Sequence, residues 1–152
     1  MASVGVLPSA NIDAAIAEIV PGMVDQTGAI LEIGTISSQT IAPAIRQRVK
    51  KSGRTTGLTS SRITGLNATV SVTYDNECAG GQAFTKTFTG QIIIRNRRSS
   101  FLAGGDSGSL MVENISSNPR AIGLLFAGSS VTAVANPIDE VLNYFNATMV
   151  GN

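Results

Sequence analysis

Two neighbouring segments, residues 62–74 and 83–95, restrict the fold of this chain more than any other feature of its sequence. Near the end of the first segment, apolar side chains occupy every second position: Ala68, Val70, Val72 and Tyr74. This period of two is typical of a β-strand that presents one face to a core. The second segment is also strand-like, and the connection over 75–82 contains two adjacent glycines. The two segments are therefore predicted to form a long β-hairpin.

Further elements flank this hairpin. Short strands are predicted at 29–34, 109–113, 121–127 and 131–135, with a strand edge interrupted by glycines at 51–57. Residues 12–20 suit a helix as well as a strand, because alanine favours the first and Ile and Val favour the second. A C-terminal helix over 138–147 is predicted from apolar side chains at helical spacing: Ile138, Val141, Leu142 and Phe145. Many short strands and one terminal helix indicate a closed antiparallel barrel. Residues 1–11 are predicted to be an arm, and residues 12–152 a single domain.

The chain contains no histidine, and this absence excludes more chemistry than any other count. No Ser-His-Asp or Cys-His site can be completed within the chain, and no imidazole can bind zinc, iron or copper. The single cysteine excludes an internal disulfide and a multi-cysteine metal site. A net charge of +1 argues against nucleic acid or an anionic membrane as an obligatory partner. Neither a secretory signal nor a transmembrane segment is visible, and no metal, cofactor or compartment is predicted.

One glycine-rich segment, Gly104 to Ser109, has the pattern of a catalytic turn. It contains glycines on both sides of Asp106-Ser107. These glycines let the backbone turn sharply and expose the serine. The same turn can direct the N–H groups of Gly105 and Ser107 at one point, as an oxyanion hole requires. A nucleophile elbow of the Gly-x-Ser-x-Gly type leads into a helix, whereas this segment leads into a predicted strand, so an α/β-hydrolase is not indicated.

The Gly-Asp-Ser-Gly sequence at 105–108 resembles the nucleophile loop of the trypsin/chymotrypsin-like serine peptidases. The resemblance extends to residues 11–17, where Asp13 follows an asparagine and begins an apolar segment 94 positions before the serine. It includes the predicted strand over 121–129 and the C-terminal helix, and so covers about residues 11–146. It implies an all-β fold: the six-stranded antiparallel Greek-key barrel that is the second barrel of that family, with a C-terminal α-helix.

The resemblance also implies roles for individual residues. Ser107 would be the nucleophile, and Asp13 would orient a histidine that this chain lacks. Gly105 and Ser107 would supply the N–H groups of the oxyanion hole. Asp106 would be a carboxylate that fixes the loop.

Two finer expectations accompany these roles. Arg97 or Arg98 is expected to pair with Asp106, because both are close to it in sequence. The substrate pocket is expected to involve Phe101, six positions before the serine, together with the segment Phe126-Ala127-Gly128. An aromatic residue at position 101 argues against a preference for Arg or Lys, because no carboxylate would meet the cation.

In the family that this chain resembles, the histidine lies in a first barrel, upstream of the aspartate. Three interpretations stay open: a fragment of a longer chain, a second barrel that works alone, and a pseudo-enzyme. We expect the first, which makes the chain the C-terminal half of a trypsin-like serine endopeptidase, a hydrolase that acts on peptide or protein substrates and is inactive without its histidine. The alternative is a non-catalytic barrel that acts as a protein-binding or assembly module. Both interpretations predict an apolar face near Asp13 and Ser107, covered by the missing barrel or by a second copy of the chain.

The lysines and arginines have simpler interpretations. A Ser-Lys dyad could use Lys50, Lys51 or Lys86, but the first two flank a predicted strand edge and are expected to be solvated. Two basic clusters could bind an anion: Arg46, Arg48, Lys50, Lys51 and Arg54, and Arg95, Arg97 and Arg98. They lack interleaved aromatic residues, so ordinary solvated faces are expected.

Overall fold

The computed structural model describes residues 11–75 and 82–152. The elements within these residues are β1 (Ala29–Ile30), β2 (Gly34–Thr35), β3 (Arg48–Gly53), β4 (Gly57–Tyr74), β5 (Phe84–Arg95), β6 (Leu110–Glu113), β7 (Ala121–Gly128), β8 (Thr132–Pro137) and α1 (Ile138–Phe145). A single 3-10 turn, Arg97–Ser99, follows β5. None of the helices in these residues is long and apolar enough to cross a membrane.

Six of the strands close into an antiparallel barrel in the order β3-β4-β5-β8-β7-β6. The barrel closes where β3 pairs with β6, with Val49 opposite Glu113 and Lys50 opposite Val112. Because β8 and not β6 lies beside β5, the order is that of a Greek key rather than a simple meander. The predicted fold class, an all-β six-stranded barrel with a C-terminal helix, is confirmed.

The long hairpin of β4 and β5 confirms the alternation seen in the sequence. From Ala68 to Tyr74, the apolar residues of β4 at every second position are half-buried, whereas the polar residues between them are exposed. On the exposed face, Ser71 hydrogen-bonds Thr87 at 3.0 Å and Thr73 hydrogen-bonds Thr85 at 2.9 Å. The register shifts near Gly65 and Ala68, and such bulges bend a strand and increase its twist, as closure of a barrel requires. The predicted connection at 76–81 lies outside the described residues.

The barrel interior is filled by apolar side chains from all six strands and the loop before β6. Its buried members are Val49, Ile63, Ile92, Ile94, Phe101, Leu102, Met111, Ile122, Leu125, Ala133 and Ala135. A second cluster packs α1 against the barrel wall through Ile138 and Val141, together with Ile12. The segment that follows Ile12 is thereby fixed beside β7 and β8.

Two predicted segments differ in the structure. Residues 12–20 form neither a helix nor a strand, because they lie along the outside of the barrel with only Ile12 buried. Residues 29–34 divide into β1 and β2, a two-stranded ribbon. Residues 1–10 of the predicted arm lie outside the described residues. Asn11, the last residue of the arm, bonds the backbone of Thr89 through both side-chain atoms, at 2.6 and 2.7 Å.

Candidate active site

The turn that carries Ser107 is held by its own backbone. The N–H of Asp106 donates to the carbonyl of Ala103 at 3.1 Å, and the N–H of Gly108 donates to the carbonyl of Leu125 on β7 at 2.8 Å. Gly105 has a φ of +94° and Gly108 a φ of +88°. Side chains are strained at such angles, which explains the glycine on each side of Asp106-Ser107.

Ser107 is exposed at the outer surface of this turn. Its hydroxyl donates to the carbonyl of Phe126 at 3.1 Å. Within the described part of the chain, the N–H groups of Gly105 and Ser107 donate to no protein acceptor. Two unpaired N–H groups beside an exposed hydroxyl are what an oxyanion hole requires, and the assignment of these two groups stays a prediction.

Asp106 is buried beneath the turn and acts as its anchor. Its carboxylate accepts hydrogen bonds from the N–H groups of Ala103 at 3.0 Å, Thr55 at 2.8 Å and Thr56 at 3.2 Å, and from the Thr56 hydroxyl at 2.7 Å. Burial by itself raises the pKa of this carboxyl. The bonds from Thr56, Ala103 and Thr55 outweigh that effect and hold the pKa of Asp106 well below its usual range.

The cation beside Asp106 is Lys51, and the expected pairing with Arg97 or Arg98 is wrong. Lys51 Nζ lies 3.4 Å from Asp106 Oδ2, and both side chains are fully buried. The ammonium also donates to the hydroxyl of Thr56 and to the carbonyl of Gly57 at 3.0 Å.

The expectation that Lys50 and Lys51 are solvated is also wrong, because both are buried. Lys50 donates to the carbonyl of Ile115 at 2.8 Å. The bonds of Lys51 to Asp106, Thr56 and Gly57 occupy its ammonium, and Ser107 is not among its partners.

Asp13 is held in place by the side chain of Asn136, which is fully buried. The N–H of Asp13 donates to Asn136 Oδ1 at 3.0 Å, and Asn136 Nδ2 donates to the Asp13 carbonyl at 2.8 Å. The Asp13 carboxylate accepts a hydrogen bond from the hydroxyl of Tyr74, at the end of β4. Burial raises the pKa of Tyr74 well above its usual range, and the hydrogen bond to Asp13 and the charge of that carboxylate raise it further.

Asp13 and Ser107 line the same open groove, of about 460 Å³, together with Tyr74 and Phe126. The remaining predicted pocket residues do not line it. Phe101 is packed in the barrel core, and Ala127 and Gly128 continue β7 beyond the groove.

Three residues of this site were not assigned to it from sequence: Lys51, Tyr74 and Asn136. Tyr74 gave the only usable signal, because it ends the half-buried face of β4 with a hydroxyl that needs a partner. Lys51 and Asn136 lie 55 and 123 positions from their partners Asp106 and Asp13. No pattern in a single sequence indicates such pairs. Among residues 11–75 and 82–152, no three His, Cys, Asp or Glu side chains are grouped as ligands for a metal ion.

Comparisons with known proteins identify both a family and a fold. The family model described as the Nal1 C-terminal domain matches residues 9–136. The solved structures that resemble the chain include Cellulomonas bogoriensis chymotrypsin, with 24% identity and a TM-score of 0.56 over 79% of this chain and 57% of that one. Thermobifida fusca protease A has 25% identity and a TM-score of 0.56, over 80% of this chain and 59% of that one.

Nocardiopsis protease has 21% identity and a TM-score of 0.58, over 78% of this chain and 55% of that one. This chain therefore spans less than two thirds of the length of each of these proteases. No curated protein matches it. The solved structures show that the fold is that of bacterial chymotrypsin-like serine proteases.

Proposed function

The chain belongs to the Nal1 C-terminal domain family, and from that premise we propose that it supplies the serine-bearing half of a chymotrypsin-like serine endopeptidase. In this proposal Ser107 is the nucleophile, and Asp13 orients a histidine from outside these 152 residues. The N–H groups of Gly105 and Ser107 stabilise the oxyanion. The substrate is a peptide bond of a protein or peptide.

One observation carries the proposal: Asp13 and Ser107, 94 positions apart in the sequence, line one groove. The two residues are held by different parts of the barrel. Asp13 is held there by Asn136 of β8, and the Ser107 turn is held by Asp106, in the loop before β6, and its partner Lys51 on β3. An acid and a nucleophile on hydrogen-bonded supports in one open groove form an arrangement that a third catalytic group would complete.

The histidine must come from another polypeptide segment, since these residues contain none. Soon after Asp13, five large apolar side chains are exposed within nine residues of the chain: Ile16, Ile19, Val20, Met23 and Val24. An apolar stretch of this length is rarely left bare on a soluble protein. We propose that the histidine-bearing barrel covers it, because this chain spans only 55–59% of the solved proteases that share its fold.

The chemistry follows from the positions of the groups. A neutral imidazole between Asp13 and Ser107 accepts the hydroxyl proton while Ser107 Oγ bonds to the scissile carbonyl carbon. The resulting oxyanion accepts hydrogen bonds from the N–H groups of Gly105 and Ser107. The imidazolium then returns the proton to the leaving amine, and the acyl-serine is hydrolysed by water. The Tyr74 hydroxyl donates to Oδ2 of the Asp13 carboxylate, so it competes with an imidazole for this oxygen while Oδ1 stays available as an acceptor.

A fluorophosphonate probe with added imidazole tests this proposal. The chain alone is expected to label very slowly, because a serine without a base is a weak nucleophile. Free imidazole is expected to accelerate labelling at Ser107, with an effect that saturates and that increases with pH until imidazole is neutral, above about pH 7. Mass spectrometry locates the adduct and gives its rate.

Three variants make this experiment specific. Ser107→Ala should abolish labelling, and Ser117→Ala, at an exposed serine outside the groove, should leave it unchanged. Asp13→Asn should remove most of the imidazole effect while preserving the small labelling rate without imidazole. The expectation of negligible activity would be overturned by rapid labelling of the isolated chain without imidazole. The assigned roles would be overturned by an imidazole effect that persists in Asp13→Asn.

One observation favours the alternative, a non-catalytic module that binds proteins. Both candidate catalytic groups are already hydrogen-bonded within the chain: the Asp13 carboxylate to Tyr74 and the Ser107 hydroxyl to Phe126. A barrel used only for binding would keep these bonds and have no response to imidazole. The labelling experiment therefore distinguishes the two functions.

A further inference from the structure

A second concave site lies away from the Ser107 groove and is strongly basic. It is an open pocket of about 620 Å³ and shares no lining residue with the groove. Five arginines line it: Arg46, Arg48, Arg62, Arg95 and Arg97. Its other lining residues are serines and an asparagine, and no carboxylate lines it. The two basic clusters of the sequence, which were expected to be separate solvated faces, thus contribute to one pocket.

The barrel brings three of these arginines together on adjacent strands. Arg48 of β3 lies directly opposite Arg62 of β4 in the antiparallel register. Ile63 of β4 pairs with Ile94 of β5, so Arg62 and Arg95 lie side by side on these strands. Like charges placed directly opposite each other destabilise a sheet. Arg48, Arg62 and Arg95 lie side by side on three neighbouring strands, and all three are exposed. An arrangement that costs stability and adds no core packing indicates a function that requires the three arginines together.

No charge within the described residues neutralises this pocket. Among the described residues, the ion pairs are Lys51–Asp106 and Arg120–Glu113, and neither includes an arginine that lines the pocket. Nor does a guanidinium group of the pocket donate a hydrogen bond in residues 11–75 and 82–152. Five of the eleven basic residues are thereby concentrated at one place in a chain with ten acidic residues. The positive charge is concentrated in this pocket, and anions from solution must balance it.

The backbone beneath the arginines is rigid, as a binding site requires. Arg46 has a φ of +70°, and its N–H donates to the carbonyl of Ile63 at 2.9 Å. The Ser61 hydroxyl donates to the carbonyl of Arg95 at 2.6 Å. Asn96, fully buried between Arg95 and Arg97, accepts bonds from two backbone N–H groups and donates to two carbonyls through its side chain.

We propose that this pocket binds a small polyphosphate anion. The guanidinium group matches phosphate oxygens with two parallel hydrogen bonds, which makes arginine the preferred side chain for such anions. Neighbouring strands lie about 4.8 Å apart, so the three strand arginines span about 10 Å, which suits linked phosphates better than a single one. No aromatic residue lines the pocket, so the phosphates and not a stacked base are recognised. The pocket volume lies in the range of small-molecule sites.

Isothermal titration of the full chain with sodium tripolyphosphate at physiological ionic strength tests the proposal. Tripolyphosphate is expected to bind at one site, at least about tenfold more tightly than inorganic phosphate, because it engages more guanidinium groups. The double variant Arg48→Gln/Arg62→Gln is expected to weaken tripolyphosphate binding at least about tenfold. Thermal unfolding followed by circular dichroism shows whether each variant is folded.

The matched control removes the same charge from residues that do not line the pocket. Arg54→Gln/Lys86→Gln is expected to change the affinity for tripolyphosphate by less than about twofold. Arg54 is exposed beyond the Gly53–Gly57 end of the β3–β4 pair, about 20 Å along the strand from Arg48, and charges at such a distance are screened by salt. Equal weakening by both double variants would overturn the proposal, as would equal affinity for phosphate and tripolyphosphate. A phosphoserine peptide that binds the pocket more tightly than tripolyphosphate would assign the site to a modified protein and also overturn it.

Discussion

At the scale of single residues, the Lys51–Asp106 pair fixes the candidate nucleophile. Both side chains are fully buried, and the carboxylate also bonds three N–H groups and a hydroxyl from two separate loops. Sequence proximity favours Arg97 or Arg98 as the partner of Asp106. That prediction is wrong because closure of the barrel places Lys51, and neither arginine, beside Asp106. β3 pairs with β6 across the closure, and Lys51 lies on β3 while Asp106 lies just before β6. Only the three-dimensional register reveals this pair.

Asp106→Asn is expected to lower the free energy of unfolding by about 3 kcal/mol, because it leaves the buried Lys51 ammonium without a counter-charge. Urea unfolding at neutral pH measures this change. Glu113→Gln is the matched control: it breaks the more exposed Glu113–Arg120 pair and should cost no more than about 1 kcal/mol. Equal losses in the two variants would contradict a special role for the buried pair.

The buried carboxyl of Asp106 also predicts how the free energy of unfolding changes with pH. Folding lowers the pKa of Asp106, so its contribution to stability is complete above the unfolded-state pKa of about 4 and is lost as the pH falls below it. The free energy of unfolding of the wild-type chain should therefore decrease in acid. Asp106→Asn should show a flatter profile below about pH 4. Glu113, whose pKa the hydrogen bond from Arg120 also lowers, accounts for a residual slope. An unchanged acid slope in Asp106→Asn would contradict this assignment.

Tyr74→Phe is expected to increase imidazole-stimulated labelling of Ser107 several-fold, because it removes the hydroxyl that competes with imidazole for Oδ2 of the Asp13 carboxylate. The phenol ultraviolet titration provides an independent readout: the wild-type minus Tyr74→Phe difference should appear only at a pH above that of ordinary tyrosine, about 10. Tyr144→Phe removes a tyrosine outside the groove and should leave the labelling rate unchanged. A slower reaction in Tyr74→Phe would indicate that this hydroxyl assists the chemistry instead.

At the scale of elements, the strands that alternate in sequence are found where they were predicted, and the apolar segment without alternation is not. Residues 62–74 specify most of β4, because their side chains largely alternate between a buried or half-buried face and an exposed one. Residues 83–95 contain β5, in which the apolar run at 92–94 is buried or half-buried throughout. Residues 12–20 have suitable composition for two kinds of element and form neither. Their conformation is decided by the anchor of Ile12 on α1 and of Asp13 on Asn136. Such tertiary contacts leave no periodic signal.

Close packing of neighbouring strands makes Gly123 of β7 irreplaceable. A Cβ at this position would lie 2.9 Å from the carbonyl oxygen of Asn136 and 3.1 Å from the Cβ of Ala135, both on β8. Gly123→Ala is therefore expected to lower the free energy of unfolding by about 1–3 kcal/mol. Gly104→Ala, where a Cβ has no atom within 4 Å, is the matched control and should be near neutral. Thermal unfolding of both variants tests whether the strand contact, and not the loss of a glycine, causes the effect.

At the scale of the whole molecule, the barrel presents three different surfaces. The groove with Asp13 and Ser107 is flanked by the exposed apolar stretch at 16–24, and the arginine pocket shares no lining residue with that groove. The sequence motifs were sufficient to predict the barrel, and the two residues to which they assign catalytic roles, Asp13 and Ser107, line one groove. The arginine pocket was not predictable, because its members come from positions 46 to 97 and only the pairing of β3, β4 and β5 brings them together.

Self-association is the expected behaviour of this chain when no other barrel covers residues 16–24. Sedimentation velocity over increasing concentration should show reversible dimers or larger species. The triple variant Ile16→Ser/Val20→Ser/Met23→Ser should shift this equilibrium toward monomer, because burial of each apolar side chain contributes about 1.5–3 kcal/mol to association. Val131→Ser removes a similarly exposed apolar side chain from the β7–β8 connection and should leave the equilibrium unchanged. Strictly monomeric wild-type chain at high concentration, or an equal effect of Val131→Ser, would show that this stretch is not the surface that a partner covers.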